Sequence, residues 1–422
     1  MRLLILFSVF AVFVTAFPLL DLIPEFRSTF NQLINSNIFQ INLQDNKDRL
    51  IKLGPNEFKI VSEIEKLNLK RQNKNFIDLT NQISIEKAIE DGLINKPTTS
   101  IWDRFFLIGA KQIKTLKNPI PVYNYPTELS YTKEVKSLFE LIDIDLVFKK
   151  LTKFSSFFTR YYKSQHGFDS ANWLYDQLNK LISEFKEISI TKIHHDGWDQ
   201  FSIIVSIPGE LKDKVIVGAH QDSANLILPN IMRAPGADDD GSGTVTTLES
   251  LRVLLQAYKD KTFKPYNTLE FHYYSAEEGG LLGSVDVFSR YSAQNETVVG
   301  MLQQDMTGYT QGSIDKGIEP HFGLISDYTS IELNEFLKLI INNYNNISYL
   351  ETQCGYACSD HASALENGYP SSFLIESDFK YTNKFIHSNL DTIDRLDFDH
   401  IKEHIKLTIA YAYELSLAKK LY

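Results

Sequence analysis

The chain has 422 residues, of which 43% are hydrophobic and 23% charged, a balance that allows a globular protein with a sizeable core. Its formal net charge is -10 and its pI is about 5.5. Because no long basic run is present, the composition gives no support for binding to nucleic acid or to an anionic membrane.

The first 16 residues predict a signal peptide, and with it secretion into the extracellular space. Arg2 precedes a short apolar run, which Val14-Thr15-Ala16 closes with a small residue, so cleavage is expected after Ala16. An uncleaved membrane anchor is the alternative, but the apolar run is shorter than the roughly 20 residues that a membrane-spanning helix needs. No later segment is apolar over a comparable length, so no membrane partner is expected.

Residues 17–127 differ in composition from the rest of the chain. Residues 17–95 are rich in Asn, Lys and Ile and carry no cluster of chemistry-bearing side chains. Residues 96–127 hold Pro97, Pro119, Pro121 and Pro126, a pattern typical of a linker.

From about residue 128 the apolar pattern alternates between helical and strand periods. This alternation predicts an α/β fold, with a mixed, mostly parallel central sheet and helices on both faces. Helices are predicted over 138–162, 170–187, 244–258, from about 280, 329–342 and 398–418. Strands are predicted over 189–195, 201–207, 214–218, 268–275, 298–302 and 371–376.

Side chains of His, Asp and Glu follow strand after strand of this predicted sheet. In such sheets ligands bind outside the carboxyl ends of the strands, so these side chains are expected at one edge. In chain order they are His220 and Asp222, the run Asp238-Asp239-Asp240, the pair Glu277-Glu278, Asp305 and His387.

This set of side chains suits a metal centre. Imidazole and carboxylate ligands favour Zn²⁺ or a related divalent ion. Two ions about 3.5–4 Å apart need one bridging carboxylate and two further ligands each. Two histidines, a bridging Asp, a Glu and a further Asp meet this need, and the pair Glu277-Glu278 leaves one carboxylate for proton transfer.

Each signal taken singly has an alternative explanation. The three aspartates would also suit the N-terminus of the helix that follows them. Glu277-Glu278 would be ordinary solvated surface, His220 a hydrogen-bonded core histidine, and Asp305 the cap of a turn.

The only two cysteines, Cys354 and Cys358, are expected to form a local disulfide in a secreted protein, with a pair of buried free thiols as the alternative. A zinc site on these thiolates is disfavoured, because structural zinc sites use four ligands. Sequons begin at Asn295 and Asn346, which are candidate glycosylation sites.

Several motifs occur in one order along the chain, and together they resemble the secreted zinc-dependent leucine aminopeptidases of bacteria and fungi. The motifs are Gly218-Ala219-His220-Gln221-Asp222-Ser223, residues 235–243 (PGADDDGSG), residues 276–284 (AEEGGLLGS), residues 354–361 (CGYACSDH) and Ile386-His387. Upstream, residues 49–80 resemble the pro-segment of the fungal members, and residues 161–164 and 170–174 resemble the start of their mature enzyme.

The resemblance implies two Zn²⁺ ions per catalytic domain and a role for each ligand. His220 and Asp305 match ligands of one zinc, and Glu278 and His387 match ligands of the other. Asp239 matches the carboxylate that bridges both ions.

The same resemblance implies the residues that surround the metals. Glu277 matches the general base, Asp222 an aspartate that orients His220, and Tyr356 a tyrosine near the scissile carbonyl. Cys354 and Cys358 match a family disulfide. Candidates for an apolar substrate pocket are Met306, Phe373, Ile375, Phe379 and Ile386.

The remaining histidines of these regions match no ligand. His361 lies near the site by the family pattern but is not a ligand. His194, His195, His272 and His321 fall on or beside strands and are interpreted as structural.

The resemblance therefore implies a zinc exopeptidase fold with a signal peptide (1–16), a pro-segment and linker (17–120) and a catalytic domain (121–422). The enzyme would act as a monomer on peptides with a free N-terminus, removing apolar residues such as Leu. A carboxypeptidase is one alternative, although Arg233 is the only obvious arginine near the motifs. Two further alternatives are a glutaminyl cyclase with one zinc and a non-catalytic binding module.

Overall fold

A computed structural model of the protein describes residues 48–94 and 120–422. The predicted signal peptide, and the parts of the predicted pro-segment and linker at 17–47 and 95–119, lie outside the described residues. The described part contains two sheets and the helices that cover them.

The strands are β1 Arg49–Gly54, β2 Glu57–Val61, β3 Ile77–Asp78, β4 Ser189–Ile193, β5 Ser202–Ile207, β6 Leu211–His220, β7 Asn267–Tyr274, β8 Val298–Gln304, β9 Phe322–Ile325, β10 Tyr349–Thr352 and β11 Ser371–Ile375. The helices are α1 Glu63–Arg71, α2 Ile85–Glu90, α3 Thr132–Leu138, α4 Ile144–Phe154, α5 Gln165–Ile182, α6 Gly243–Lys259, α7 Leu282–Ala293, α8 Gln311–Ile314, α9 Ile331–Tyr344, α10 His361–Glu366 and α11 Phe398–Leu417.

The central sheet has eight strands in the order β10-β9-β11-β8-β6-β7-β5-β4. Its four middle strands β11, β8, β6 and β7 run parallel to one another. The pairs β11–β9, β7–β5 and β5–β4 are antiparallel. The predicted mixed α/β fold is confirmed.

Both faces of the sheet are covered, as the strand residues of β6 demonstrate. Successive side chains of a strand point to opposite faces. Val215 and Val217 belong to the main core, which includes residues of α6 and α11. Ile216, between them, packs in a second core with Val287 and Phe288 of α7.

The N-terminal part, residues 48–94, forms a small unit with the strand order β2-β1-β3 and the helices α1 and α2. Its strand β1 contributes to two apolar clusters. Leu50 packs with Ala88 and Leu93, and Ile51 packs with Val61 and Phe76.

The prediction of one helix over 138–162 is wrong. A short 3₁₀ helix at Phe139–Leu141 follows α3, and α4 begins anew at Ile144. The Asp143 carboxylate accepts the N–H of Leu146 at 2.8 Å, so it caps a new helix at the position where the predicted helix would continue.

The strands β9 and β10 and the helix α10 were not predicted from the sequence. Each strand has only four residues, and α10 has six. So few residues cannot display a clear period. None of the helices within the described ranges has the length and apolarity that a bilayer span requires.

Candidate metal centre and active site

Three neighbouring parallel strands deliver the first residues of the site to one edge of the sheet. His220 is the last residue of β6. Glu277 and Glu278 follow the end of β7, and Asp305 directly follows β8. Because β7 and β8 flank β6 and run parallel to it, their carboxyl ends meet at the same edge.

The five predicted metal ligands lie together, with Asp239 in the middle. Its Oδ1 is 3.1 Å from His220 Nε2, and its Oδ2 is 3.0 Å from His387 Nε2. His220 Nε2 is also 3.5 Å from Asp305 Oδ1, and His387 Nε2 is 3.2 Å from Glu278 Oε2. One carboxylate thus presents one oxygen to each of two histidines, which is the arrangement a bridging ligand needs.

Asp240 also lies near this cluster, and sequence reasoning gave it no role. With His220 and Asp305 it forms one group of potential ligand atoms, all within 4.8 Å of one another. Both of its oxygens, however, accept backbone hydrogen bonds. Oδ2 accepts from His220 N at 3.1 Å, and Oδ1 accepts from Gly243 N at 2.8 Å and Met306 N at 3.2 Å. Asp240 therefore fixes the backbone around the site, while the oxygens of Asp239 face the histidines.

The cluster fits the coordination of divalent cations. Within the described ranges, the buried atoms His220 Nε2, Glu278 Oε1 and Asp305 Oδ1 make no hydrogen bond of acceptable geometry, although His220 Nε2 lies 3.1 Å from Asp239 Oδ1. Buried polar atoms are normally paired, so oxygen and nitrogen atoms left free in this way suit metal coordination. The donor set of carboxylates and imidazoles also suits zinc.

The electrostatics of the cluster reflect an excess of carboxylate. Burial alone would lower the pKa of His387, but the Glu278 and Asp239 carboxylates raise it to about 10. Burial opposes ionisation of Glu278, yet His387 and Lys70 bring its pKa down to about 2. These carboxylates therefore stay charged and favour any cation that enters.

Asp222 supports three site residues at once. Its Oδ1 accepts the N–H of Glu277 at 3.0 Å, and its Oδ2 accepts the N–H of Glu278 at 3.1 Å. Its Oδ1 is also 3.4 Å from Nδ1 of His220. The predicted orienting role stays a prediction, but Asp222 is placed to hold both the imidazole and the Glu277-Glu278 turn.

Asp391, which sequence reasoning missed, holds the loop that carries the bridging aspartate. It is fully buried. Its Oδ1 accepts the N–H of Asp238 at 3.0 Å, and its Oδ2 accepts the N–H of Asp239 at 3.1 Å. Asp391 lies in the loop that follows β11, four residues after His387, and a lone aspartate in a loop has no motif or period that marks it.

Glu277, the predicted general base, is 5% exposed, and burial raises its pKa well above the usual value. The Glu277 Oε2 atom is 3.7 Å from Nζ of Lys70. The same ammonium donates to Oε2 of Glu278 at 3.0 Å. Lys70 lies on α1, within residues 17–95, and sequence reasoning missed it because a lone lysine offers no ligand pattern.

The five candidate pocket residues lie in one apolar cluster beside the metal residues, with Ile325 as an additional member. The buried members are Met306, Ile325, Phe373 and Ile375, and the partly buried ones are Cys354, Cys358, Phe379 and Ile386. Cys354 and Cys358 form a disulfide. The ring of Tyr356 lies 6.1 Å from that of Phe379. Burial and the nearby Glu277 raise the Tyr356 pKa to about 12, so its hydroxyl stays protonated.

The histidines interpreted as structural have structural partners. His195 contacts Asp286 at 2.6 Å and Ser202 at 2.7 Å. His272 contacts Glu270 at 3.0 Å. The ring of His361 lies beside that of Phe373, with centroids 4.9 Å apart, and burial lowers the pKa of His361 to about 3.

His321 accepts the N–H of Asp378 through Nε2 at 3.1 Å, and the ring of His194 lies 5.6 Å from that of Phe201. The sequon residues Asn295 and Asn346 are exposed, which a glycan requires. Their glycosylation stays a prediction.

The site is a buried cluster of imidazoles and carboxylates at the carboxyl edge of a mixed sheet. An additional buried glutamate and an apolar cluster adjoin it, and together these features define a metal-dependent hydrolase. The pattern of Peptidase family M28 matches residues 202–412, which include all of the candidate metal ligands.

Curated and solved relatives agree with this match. The probable aminopeptidase YDR415C of Saccharomyces cerevisiae is 47% identical over 371 residues, covering 87% of this chain and 92% of the relative. Leucine aminopeptidase 1 of Paracoccidioides brasiliensis is 45% identical, covering 88% of this chain and 90% of the relative. The crystal structure of the LapA aminopeptidase of Legionella pneumophila has a TM-score of 0.73 and 27% identity, covering 88% of this chain and 99% of that one.

The chain belongs to Peptidase family M28 and is a peptide hydrolase. The family resemblance seen in the sequence motifs is thereby confirmed.

Proposed function

We propose that the protein is a two-zinc aminopeptidase that removes apolar residues such as Leu from peptides with a free N-terminus. The observation that carries the proposal is the position of Asp239, whose two oxygens lie 3.1 and 3.0 Å from His220 and His387. The apolar cluster begins at Met306, directly after Asp305, so an apolar side chain fits beside the reacting bond.

The chain's own residues supply positioning and proton transfer. His220, Asp305 and one oxygen of Asp239 would hold one zinc ion, and Glu278, His387 and the other oxygen of Asp239 the second. When bound, the ions polarise the scissile carbonyl and lower the pKa of a water towards neutrality.

Glu277 takes the proton of the attacking water and then delivers it to the leaving amine, acting first as base and then as acid. The Tyr356 hydroxyl donates to the oxyanion that develops on the carbonyl oxygen. Asp222 keeps Glu277 in place through the backbone hydrogen bond described above.

Recognition of the amino end of a peptide is favoured over recognition of the carboxyl end. A carboxypeptidase would need a cationic or backbone clamp for the substrate carboxylate, and the two arginines beside the bridging loop are not placed to supply a cationic one. The buried guanidinium of Arg160 is engaged by the backbone carbonyls of Gln221 and Gly236, at 2.9 and 2.8 Å. Arg233, the other arginine beside the bridging loop, is exposed.

Hydrolysis of Leu p-nitroanilide, free and N-acetylated, tests this proposal. Rapid hydrolysis of the free compound, loss of activity with a chelator and recovery with zinc would support it. Equal hydrolysis of the acetylated compound would contradict it. A metal content near one zinc per chain, together with cyclisation of an N-terminal glutamine, would instead identify a glutaminyl cyclase.

We also propose that the enzyme is secreted as a monomeric precursor and that residues 17–120 are removed as a pro-segment. The N-terminal sequence and the solution mass of the active extracellular protein test this. A fully active monomer beginning at residue 121 or nearby supports the proposal, and a fully active protein that begins at residue 17 contradicts it.

A further inference from the structure

We propose that the ammonium group of Lys70, in the N-terminal unit, takes the place of the second metal ion beside Glu278, at the site formed by Asp239, Glu278 and His387. The uncleaved chain therefore binds the second metal ion only weakly. This inference rests on the proposed two-zinc function. The competition with the metal ion is attributed to the charge of one lysine, and not to the pro-segment as a whole.

The Lys70 ammonium contacts one of the three potential ligands of this site, Glu278, and the neighbouring Glu277. The ammonium lies 3.0 Å from Glu278 Oε2, and the same oxygen is 3.2 Å from His387 Nε2. It lies 3.7 Å from the neighbouring Glu277 Oε2. The side chain is buried, with 5% exposure, so water does not screen these charges.

The second group of potential ligand atoms is formed by Asp239, Glu278 and His387. A divalent ion in that group would share Glu278 with the Lys70 ammonium and would lie beside a fixed positive charge. Like charges at such short distance in a buried site repel strongly. The ammonium and the second metal ion therefore compete for the same carboxylate.

The first half of the cluster is arranged differently. There, Asp305 Oδ2 accepts a hydrogen bond from the Ser359 hydroxyl at 2.6 Å. Within the described ranges, Lys70 forms ion pairs with Glu277 and Glu278 only. Competition is therefore expected at the second metal site and not at the first.

Helix α1 brings Lys70 into the site and is fixed there by its last residue. Arg71 donates to the carbonyls of Leu226 and Ile227, both at 2.7 Å. The beginning of α1 is set by Ser62 and Glu65, which form a reciprocal capping box. Both ends of the helix are thus fixed, and this places Lys70 beside the glutamates.

A second contact joins the N-terminal unit to the turn that carries the glutamates. The N–H of Asp78 donates to the carbonyl of Gly280 at 3.0 Å. Gly280 has a φ of +104°, and a Cβ on it would lie 2.7 Å from the Phe76 ring. The absence of a side chain at Gly280 therefore permits this close approach, two residues after Glu278.

The experiment compares zinc binding by the uncleaved wild-type chain and by Lys70→Met, which keeps an unbranched side chain one atom shorter and removes its charge. Lys70→Gln serves as a second uncharged variant. Each protein is equilibrated at a series of buffered free zinc concentrations, and its zinc content is measured by mass spectrometry of the metal. Intact mass confirms that the N-terminal unit is still attached.

We expect one tightly bound zinc ion in the wild-type chain, and a second in both variants with an affinity about 10- to 100-fold higher than in the wild type. Lys59→Met, at an exposed lysine of β2 in the same unit, is the matched control and should bind zinc as the wild type does.

Equal binding of two zinc ions by the wild-type and variant chains would overturn the inference and leave the proposed function intact. A single zinc ion in all of them would also overturn it. Absence of zinc from every protein would count against the two-zinc function itself.

Discussion

Glu277 and Glu278 are adjacent in sequence but have opposite electrostatic environments. Burial raises the pKa of Glu277 well above its usual value. For Glu278, His387 and Lys70 outweigh burial and lower the pKa to about 2. Two neighbouring carboxyl groups whose pKa values diverge are suited to different tasks. One can exchange a proton, and the other remains a charged ligand.

The variant Glu277→Gln tests this division of tasks. We expect kcat to fall about 10²- to 10⁴-fold, because the amide cannot accept a proton. The zinc content should stay at the wild-type value, since Glu277 is not among the proposed ligands. Steady-state kinetics on Leu p-nitroanilide and metal analysis provide the two readouts. Glu128→Gln, at an exposed glutamate, is the control. Turnover close to that of the wild type would remove Glu277 from the mechanism.

Asp391 offers a second test at the level of a single residue. An asparagine there keeps one acceptor oxygen but turns an NH₂ group towards the N–H of Asp238 or Asp239. The loop with the bridging carboxylate should then shift, and zinc affinity should fall about 10- to 100-fold.

Competition with a chelator of known affinity measures this loss in Asp391→Asn. The exposed neighbour Asp394, changed in the same way, should leave zinc affinity unchanged. Unaltered affinity in Asp391→Asn would mean that the two backbone hydrogen bonds do not position Asp239.

Helix α11 carries a buried pair of histidines that should make the fold sensitive to acid. The rings of His400 and His404 lie 5.2 Å apart. His400 is 3% exposed, and burial lowers its pKa to about 4. Among its charged neighbours, Asp397 raises the pKa of His400 and His321 lowers it further.

Because the pKa of His400 in the folded state lies below the unfolded value of about 6.5, the neutral ring stabilises the fold above that pH. This stabilisation is lost as the pH falls from about 6.5 through 4. Between pH 7 and pH 5 the loss should be about 2 kcal/mol.

Urea unfolding across this pH range, for the wild type and for His400→Phe, measures the effect. The variant should show a correspondingly flatter dependence of the free energy of unfolding on pH. The same substitution at the exposed His166 is the control. Parallel pH profiles for the wild type and His400→Phe would contradict the assignment.

At the scale of elements, long periodic segments could be predicted and short ones could not. The strand predicted over 298–302 lies within β8, and the helix predicted over 398–418 corresponds closely to α11. The predicted helix over 138–162 failed because Asp143 caps a new helix, a local hydrogen bond that the apolar period does not reveal. Strands β9 and β10 were missed because four residues carry no clear period.

At the scale of the whole molecule, the predicted metal residues lie together because they follow parallel neighbouring strands. His220 and Asp305 could be placed at one sheet edge from the strand pattern alone. Asp391 and Lys70 could not. Lys70 reaches the site from a distant part of the chain, and Asp391, four residues after His387, acts through backbone hydrogen bonds that only the tertiary fold creates.

The central claim is that the metal centre hydrolyses peptides from their amino end. A single peptide of defined sequence beginning with Leu-Phe tests it most directly, when the processed protein is added and the products are followed by mass spectrometry. We predict stepwise loss of residues from the N-terminus, which stops with a chelator and resumes with zinc. Loss from the C-terminus, internal cleavage or chelator-resistant hydrolysis would contradict the claim.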